Sequence, residues 1–294
     1  MANIRSEIYN RVILKNGQKV QESIDQKANS LDAMVRLENI SFAYDSKTFI
    51  YKDFDWKVQR GEAWAILGPS GCGKTTILYL LAGVFFPNDG RILIDGTQID
   101  KPRMRTGLIL QDHGLLPWNT VRQNVELGIK LRKLYGLNGR KPDENCHIVD
   151  SWLESLGIDH VQDHFPGQVS VGQRQRVAIA RSLVLDPDLL LMDEPFSSLD
   201  APTRESLQNL TTQLWVEQNL TMIIVTHAIE EAVLLGKKIL LLGHPPNSNP
   251  VIIDNPKANT KSFRSDPEYH SLCRDLRQQM DDNSNGNGKE TQEL

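Results

Sequence analysis

The segment GPSGCGKT at residues 68–75 constrains the fold of this chain more than any other feature. It matches the pattern G-x-x-x-x-G-K-[ST] and lies between an apolar run at 63–67 and a helix-like run at 76–82. A strand, a glycine-rich loop and a helix in this order form a cradle of backbone N–H groups around a phosphate chain. A chance match is the alternative, and its frequency in a chain this long is on the order of one per cent. The segment therefore predicts an α/β fold that binds a nucleotide.

The residue types in this segment suit a phosphate chain and a divalent cation. Glycine lets the backbone turn inward where a side chain would crowd the ligand. Lys74 is expected to reach the β- and γ-phosphates, and the Thr75 hydroxyl to ligate Mg²⁺. The helix that opens at Lys74 points its positive dipole end at the same anion.

Composition narrows the classes of partner. The formal charge of −4 over 294 residues offers no basic field, so nucleic acid is not expected as a partner. No apolar run approaches the roughly 18 residues of a membrane span, and the N-terminus lacks the apolar core of a signal peptide. The scattered cysteines show neither disulfide nor zinc spacing, which favours a reducing cytosol. Any membrane role is therefore expected to come through a partner.

Asp193 and Glu194 end an almost wholly apolar run at 188–192, which is typical of a strand buried on both faces. Paired acids are often a solvated turn, but carboxylates at the end of a buried strand need a metal or a partner. Asp193 is therefore a candidate to hold Mg²⁺ through water, and Glu194 to orient or deprotonate the attacking water.

Two further polar residues end expected strands. Gln111 follows the strand at 106–110, and His227 follows an apolar strand at 221–226. Ligand groups sit at the carboxyl ends of parallel strands in α/β sheets. A lone histidine is more often structural, but at this position it can contact the γ-phosphate.

Antiparallel strands are expected before the glycine-rich loop. Alternation at 53–58 places Phe54, Trp56 and Val58 on one face, as in a half-buried antiparallel strand. Tyr44 lies at the end of the first expected strand. Packing is the ordinary role of such a ring, but for Tyr44 we favour stacking on an adenine ring through its π-face.

A helical insertion is expected between the strands. Residues 121–165 show helical character with breakers at 136–142. His160 and His164 have the i, i+4 spacing of a metal pair, but without a third ligand nearby a solvated helix end is favoured. The segment VSVGQRQR at 169–176 then runs into another helical pattern.

The order of these segments resembles the ATP-binding subunits of ABC transporters over about residues 35–245. The resemblance implies a P-loop NTPase fold of the ABC ATPase type, with a RecA-like mixed sheet core, an antiparallel β subdomain and a helical subdomain. The matching pieces are Tyr44, the Walker A loop 68–75, the Q-loop Gln111, the signature 169–173, the Walker B segment 189–194, the D-loop 197–200 and the switch His227.

The same reading divides the chain into three parts. Residues 1–33 are expected to form a weakly ordered N-terminal extension. Residues 34–245 are expected to form the ATP-binding domain, with its helical subdomain at about 115–185. Residues 246–294 are expected to form a tail with one short helix and a disordered end.

The resemblance also implies which residues act. In that family two subunits dimerise head to tail, so each ATP lies between one Walker A loop and the signature of the partner. The implied catalytic residues are Glu194, His227 and Lys74, and the implied Mg²⁺ ligands are Thr75, Gln111 and Asp193. The implied ATP contacts across the dimer are Ser170, Gly172, Gln173 and Asp200. The implied ATP contacts within the subunit are Tyr44, Gly68, Pro69, Ser70, Gly71, Cys72, Gly73, Lys74, Thr75, Thr76 and Gln111.

The implied partners are a second copy of the chain or a paralogous ATPase subunit, an integral membrane permease, and an extracytoplasmic solute-binding protein. The subunit is expected at the cytoplasmic face of the membrane, as a peripheral protein. Segments 115–118, 174–177, 200–204 and 265–269 are similar to the nitrate/sulfonate/taurine-type import ATPases. The resemblance thus implies ATP hydrolysis coupled to import of a small solute, such as nitrate, a sulfonate, taurine or a similar small anion.

The chain departs from the family pattern at the signature and at the switch. Val169 and Val171 stand in a signature that usually reads L-S-G-G-Q, and Ala228 follows His227 where the family has aspartate. If the glycine replaced by Val171 takes a positive φ, the valine is strained by about 1–3 kcal/mol. If that glycine only allows close approach to ATP, Val171 weakens closure of the dimer. Reduced activity is expected in both cases.

Two other classes stay open on sequence alone: a non-transport ABC ATPase, and an ATP-dependent regulatory switch without turnover. Non-transport relatives usually carry two cassettes in one chain or long coiled-coil insertions, whereas this chain shows one cassette and no sustained heptads. The presence of Glu194 argues against a switch without turnover. Val171 in the signature, however, is compatible with such a switch.

Overall fold

Strands and helices follow the hydrophobic pattern of the chain in the computed structural model, which describes residues 33–45, 48–134, 142–260 and 263–285. The strands are β1 Ala33–Ala43, β2 Phe49–Gln59, β3 Ala63–Leu67, β4 Asp89–Ile94, β5 Thr97–Gln98, β6 Thr106–Ile109, β7 Leu189–Asp193, β8 Thr221–Thr226, β9 Lys238–Leu241 and β10 Val251–Asp254. The α-helices are α1 Lys74–Leu81, α2 Val121–Leu134, α3 Pro142–Ser155, α4 Val171–Leu183, α5 Ala201–Glu217, α6 Ile229–Leu235 and α7 Pro267–Asn285. Short 3₁₀ helices cover Asp159–Val161, Pro166–Gln168 and Phe263–Ser265.

The larger sheet has the strand order β10-β9-β3-β8-β7-β6. Strands β3, β6, β7, β8 and β9 run parallel, and β10 pairs antiparallel with β9 at one edge. Every residue of β3, β7 and β8 is buried. One face of these strands packs on α1 and the smaller sheet, and the other packs on the remaining helices, which explains the continuous apolar runs.

The smaller sheet is antiparallel, with the strand order β2-β1-β4-β5. Phe54, Trp56 and Val58 are buried and alternate with more exposed residues along β2. They share a core with Leu189 and Val225 of the larger sheet. The predicted alternation of this strand is confirmed.

Helices α2 and α3 lie in the predicted helical insertion at 121–165, and they pack against each other and against α4. Val125, Leu153 and Val177, one from each helix, share a core with Leu190 and Met192 of β7. The predicted breaker segment at 136–142 lies outside the described residues except for residue 142. The predicted combination of a mixed sheet, an antiparallel sheet and a helical part is confirmed.

The tail packs on the same molecule through β10 and α7. Cys273 and Leu276 of α7 are buried against Ile229 and Val233 of α6. Strand β10 was not predicted, and α7 is longer than the expected amphipathic piece at 267–280. The expected N-terminal extension, apart from residue 33, and the expected disordered end at 286–294 lie outside the described residues. None of the helices in the described part of the chain combines the length and the apolar character that crossing a membrane requires.

Candidate functional site

The carboxyl edge of the parallel strands gathers the predicted site residues. Strands β3 and β8 end level with each other in the hydrogen-bond register, and β7 ends one residue earlier. The residues that follow these strands, Gly68, His227 and Glu194, therefore leave the sheet at the same edge. Gln111 lies two residues beyond the end of β6, which is the neighbour of β7.

The glycine-rich loop needs glycine for two reasons at Gly73. Its φ of 106° lies in the left-handed region that other residues rarely adopt. A Cβ there would lie 2.5 Å from Cγ2 of Ile50 and 3.0 Å from the hydroxyl oxygen of Tyr51. The loop therefore turns sharply into α1 directly against strand β2.

Lys74 begins α1, and its side chain is buried in the loop. The ammonium group donates hydrogen bonds to the carbonyl oxygens of Gly68, at 2.9 Å, and Pro69, at 2.8 Å. Since both acceptors are neutral, an anionic oxygen would form the stronger bond with the same group. The loop therefore presents a positive charge whose present partners are weaker acceptors than a phosphate.

Two residues that the sequence did not reveal brace the loop from outside. The hydroxyl of Tyr51 donates to the carbonyl oxygen of Gly73 at 2.9 Å. Nδ2 of Asn247 donates to the carbonyl oxygen of Cys72 at 2.9 Å, and Oδ1 of Asn247 accepts from the backbone N–H of Gly243 at 3.0 Å. Burial raises the pKa of Tyr51 well above its usual value, so this hydroxyl stays a donor. Neither residue carried a signal in the sequence, because both contacts depend on the folded sheet.

Asp193 ends β7 beside the phosphate loop. Its residue exposure is 5%, and its Oδ1 accepts a hydrogen bond from the Thr75 hydroxyl at 3.3 Å. Burial raises the pKa of Asp193, although the bond from Thr75 acts in the opposite direction. A carboxylate in this setting gains from a bound cation, because the cation offsets the loss of hydration.

Glu194 lies between the two other predicted polar residues. Its Oε1 is 3.0 Å from Nδ1 of His227, and its Oε2 accepts from Nε2 of Gln111 at 3.3 Å. The backbone of Glu194 has a φ of 45°, which is uncommon for a residue other than glycine and occurs often at functional sites. The backbone N–H of Glu194 donates to the carbonyl oxygen of Val225 at 2.9 Å, which holds this conformation against β8.

A cavity of about 760 Å³ opens beside Asp193 and Gln111. Thr75, Gln111 and Asp193 line one part of it, and Ser197, Val171 and Arg174 line another. The structure thus brings the three predicted Mg²⁺ ligands to one cavity. Among the described residues, no group of three or more His, Cys, Asp or Glu side chains could hold a metal ion, so a cation here would depend on the hydroxyl and the amide as well.

The predicted cross-dimer residues start helices in the single subunit. The Ser170 hydroxyl accepts from the backbone N–H of Gln173 at 3.2 Å, and the Gln173 side chain accepts from the N–H of Ser170 at 2.9 Å. This reciprocal pair is a capping box, whose S-x-x-Q spacing is visible in the sequence. Asp200 caps α5 in the same way, by accepting from the N–H of Thr203. Gly172 is required by packing, because a Cβ there would lie 2.5 Å from Cγ2 of Thr203.

Val171 is the first residue of α4 and does not have a positive φ. The first of the two alternatives, a backbone strained by a positive φ, therefore does not apply to this valine. Helical φ is open to every residue, and the valine side chain packs against the core that contains Val177 and Leu183. Of the two explanations for the family's glycine, only close approach of a ligand remains.

Tyr44 stands at the end of β1 with 63% of its surface exposed. Its ring makes edge-to-face contacts with Phe42 and Phe85, at centroid distances of 5.1 and 5.7 Å. Its hydroxyl lies 2.8 Å from the hydroxyl of Thr76 on α1, so the ring is tied to the helix that follows the phosphate loop. The ring is thus held in place and accessible to a ligand.

The apolar loop at 115–118 is anchored at one end and exposed at the other. Buried Asn124 accepts from the N–H of Leu116 at 2.8 Å and donates to its carbonyl oxygen at 3.1 Å. Leu115 packs against the core, whereas Trp118 is 70% exposed. Trp118 is therefore not part of the core of the subunit.

His160 and His164 are both exposed, and His160 lies in the 3₁₀ helix Asp159–Val161. Nε2 of His160 is 3.5 Å from Nε2 of Gln173. Nδ1 of His160 also lies 3.9 Å from Oδ1 of Asp159. The interpretation of both histidines as a solvated helix end stays a prediction.

Known proteins match the chain in sequence and in structure. Residues 51–197 match the family described as ABC transporter. A taurine import ATP-binding protein from Pelagibacter ubique is 40% identical over 195 residues, which cover 66% of this chain and 71% of that protein. An aliphatic sulfonates import ATP-binding protein from Bacillus cereus is 37% identical over 73% of this chain and 84% of that protein. A dimeric ATP-binding cassette, solved in a post-hydrolysis state with ADP and Pi, superposes with a TM-score of 0.63 at 29% identity over 71% of this chain and 94% of that chain.

The strand–loop–helix at Gly68, the carboxylates after β7 and these similarities define a nucleotide-hydrolysing cassette. The chain belongs to the ABC transporter family. It is an ATP-binding ATPase subunit, and the prediction of an ATPase that energises solute import is confirmed. The resemblance to the nitrate/sulfonate/taurine-type import ATPases is confirmed as well.

Proposed function

We propose that this subunit hydrolyses ATP to drive import of a sulfonate or a similar small anion through a membrane permease. One observation carries the hydrolytic part: the Glu194 carboxylate faces His227 and Gln111 and follows the buried Asp193. Phosphoryl transfer to water depends mainly on positioning and on stabilising charge. A carboxylate with one polar neighbour on each oxygen is suited to that task.

The loop 68–75 and Thr76 bind the phosphates of ATP. Backbone N–H groups at Gly71 and Gly73 are available because these residues turn the loop with positive φ. Lys74 exchanges its carbonyl partners for phosphate oxygens, which are the stronger acceptors. Tyr44 stacks on the adenine ring, since its π-face is exposed and its hydroxyl is held at Thr76.

The residues at this edge fit a magnesium ion. Thr75, Asp193 and Gln111 offer a hydroxyl, a carboxylate and an amide oxygen around one cavity, and Mg²⁺ prefers oxygen ligands together with water and substrate phosphates. Burial raises the pKa of Asp193, and neither the bond from Thr75 nor the charge of Lys74 offsets this effect, so a bound cation would stabilise the carboxylate further. When bound, Mg²⁺ neutralises charge that develops on the phosphates.

Glu194 activates the attacking water, and His227 steadies the γ-phosphate. The carboxylate accepts a proton or a hydrogen bond from water, while Gln111 limits the directions in which it can point. His227 holds the other carboxylate oxygen through Nδ1, which leaves its second ring nitrogen for the phosphate.

A second copy of the chain, or a paralogous subunit, completes each site. Ser170, Gly172, Gln173 and Asp200 contact the ATP of the partner. The capping bond uses the Ser170 oxygen as acceptor, so its O–H remains a donor for a phosphate oxygen. The N–H groups in the first turn of α4 lack intrahelical acceptors, and this end of the helix carries positive dipole charge.

The permease docks at the loop that carries Trp118. The exposed indole beside an anchored backbone offers an apolar contact that the free subunit does not cover. The subunit then lies at the cytoplasmic face of the membrane as a peripheral protein, and an extracytoplasmic binding protein delivers the solute.

The solute class rests on the names of the two relatives, which import taurine and aliphatic sulfonates. The test measures uptake of labelled taurine, methanesulfonate and nitrate by cells in which this chain is the sole ATPase of its transporter. We expect sulfonate uptake that Glu194→Gln abolishes and no nitrate uptake. Nitrate uptake without sulfonate uptake would overturn the solute class, and uptake unchanged by Glu194→Gln would overturn the energising role.

A further inference from the structure

A hydroxyl and a buried carboxylate hold the turn that carries His227. The Thr226 hydroxyl accepts from the backbone N–H of Ala228 at 3.0 Å and donates to Oε2 of Glu231 at 2.8 Å. Thr226 is 2% exposed and Glu231 is 7% exposed. Water therefore competes little for these bonds, which hold the residues directly before and after His227.

The second oxygen of Glu231 faces helix α5. Oε1 of Glu231 lies 3.8 Å from Nε of Arg204, and Nη2 of Arg204 donates to the carbonyl oxygen of Leu199 at 2.8 Å. Nε of Arg204 is buried and has no hydrogen-bond partner in the described structure. The Glu231 carboxylate is thus the charge that offsets burial of this part of the guanidinium.

We propose that Glu231 is a positioning residue for ATP hydrolysis. It holds the turn that sets His227 against Glu194, and through Arg204 it links this turn to Leu199, which lies just before α5. The inference rests on the proposed roles of Glu194 and His227. Glu231 does not touch the reacting atoms, so its effect passes through the histidine and through the segment before α5.

The matched pair of variants is Glu231→Gln and Glu230→Gln. The glutamine at 231 keeps an oxygen for the Thr226 hydroxyl and loses the charge that faces Arg204. Glu230 is the preceding residue on the same helix, is exposed, and pairs with Arg277 at 2.8 Å. We expect Glu231→Gln to lower kcat about tenfold, less than the roughly 100-fold that loss of an acid–base group causes. Equilibrium affinity for ATP stays within twofold, and Glu230→Gln leaves kcat and affinity unchanged.

Variants at two further positions, Arg204 and Thr226, separate positioning from folding. Arg204→Lys changes a partly exposed residue and removes the bond to Leu199, so it lowers kcat as Glu231→Gln does, and the double variant is no worse than either. Thr226→Ser keeps the hydroxyl and retains kcat, whereas Thr226→Val removes the hydroxyl and lowers kcat. Wild-type kcat in both Glu231→Gln and Arg204→Lys overturns the proposal, as does a fall in ATP affinity that matches the fall in kcat. If Glu194→Gln itself hydrolyses ATP normally, the proposed function fails first, so the two failures are distinguishable.

Discussion

Oε1 of Glu194 lies 3.0 Å from Nδ1 of His227. Among the hydrogen bonds of the described residues, none joins either of these side chains to the phosphate loop. The two residues directly follow neighbouring strands, β7 and β8. The pair proposed to act in hydrolysis is therefore assembled within the single subunit, apart from the loop after β3 that is proposed to bind phosphate.

This separation predicts that Glu194→Gln binds ATP and fails to hydrolyse it. The amide keeps contacts with Gln111 and His227 but cannot take a proton from water, so kcat falls at least about 100-fold while affinity changes little. With ATP and Mg²⁺ the variant accumulates as a dimer, which light scattering detects. Glu154→Gln, at an exposed position of α3, is the control. A monomeric variant, or one with wild-type turnover, contradicts the scheme.

Lys74→Ala should remove ATP binding instead. The loop loses the cation that now bonds to the Gly68 and Pro69 carbonyls, and charge-assisted bonds to phosphate are among the stronger ones in proteins. We expect affinity for a fluorescent ATP analogue to fall more than about 100-fold. Lys133→Ala, on the exposed side of α2, should bind normally. Unchanged affinity in Lys74→Ala would exclude the loop as the phosphate site.

Trp118→Ala should separate transport from hydrolysis. The indole is 70% exposed, so its removal leaves the core intact and changes the melting temperature by little. We expect solute uptake to drop several-fold while ATPase activity of the isolated subunit is retained. Val216→Ala, an exposed apolar position on α5, serves as the control and should affect neither. Loss of basal ATPase or of stability in Trp118→Ala would mean that the indole supports the subunit itself.

Val171→Gly should lower the stability of the subunit and yet raise ATP-driven dimerisation and kcat, because the valine stands where the family's glycine allows close approach of ATP. Val171 has helical backbone and packs on the core, so glycine loses side-chain contacts and adds backbone freedom. The free energy of unfolding should fall by about 1 kcal/mol in chemical denaturation. Val171→Ala keeps helix propensity and should lose less. A kcat no higher than that of the wild type would show that the valine does not obstruct approach of the partner's ATP.

Asp193→Asn should raise stability and abolish hydrolysis. Burial raises the pKa of Asp193 in the folded protein above its usual value of 3.8. At pH values between 3.8 and this raised pKa, the folded state holds the proton more tightly than the unfolded chain does. Stability therefore falls as the pH rises through this range, and the neutral amide escapes the loss. We expect a higher Tm than wild type at pH 7 and a gain that shrinks as the pH is lowered towards 3.8. Asp254→Asn, at an exposed position, should not change Tm. A lower Tm for Asp193→Asn at pH 7 would contradict the sign.

Sequence was sufficient wherever a local pattern carried the structure. Apolar runs buried on both faces predicted β3, β7 and β8, and their last residues located Glu194 and His227 at one edge. The S-x-x-Q spacing at Ser170 also predicts a helix cap, in addition to the ATP contact that the family resemblance implies for Ser170. These signals lie within a few residues of the feature they predict.

Contacts between distant segments could not be read in the same way. Asn247 and Glu231 look like ordinary polar residues, and their partners Cys72 and Arg204 are identified only once the sheet is assembled. Strand β10 was not predicted because it is only four residues long and mostly exposed. Neither a periodic pattern nor an apolar run marks so short a strand. The left-handed backbone of Glu194 likewise has no local sequence signal, because tertiary contacts impose it.

The brace between Asn247 and Cys72 joins residues 175 positions apart in the chain. A ribosome that adds about 5–20 residues per second needs roughly 10–35 s to travel that distance. The glycine-rich loop therefore leaves the ribosome long before the amide that binds its carbonyl has been synthesised. A nascent chain interrupted before residue 247 carries the whole loop sequence and lacks this contact, so the nucleotide site is encoded early and finished late in translation.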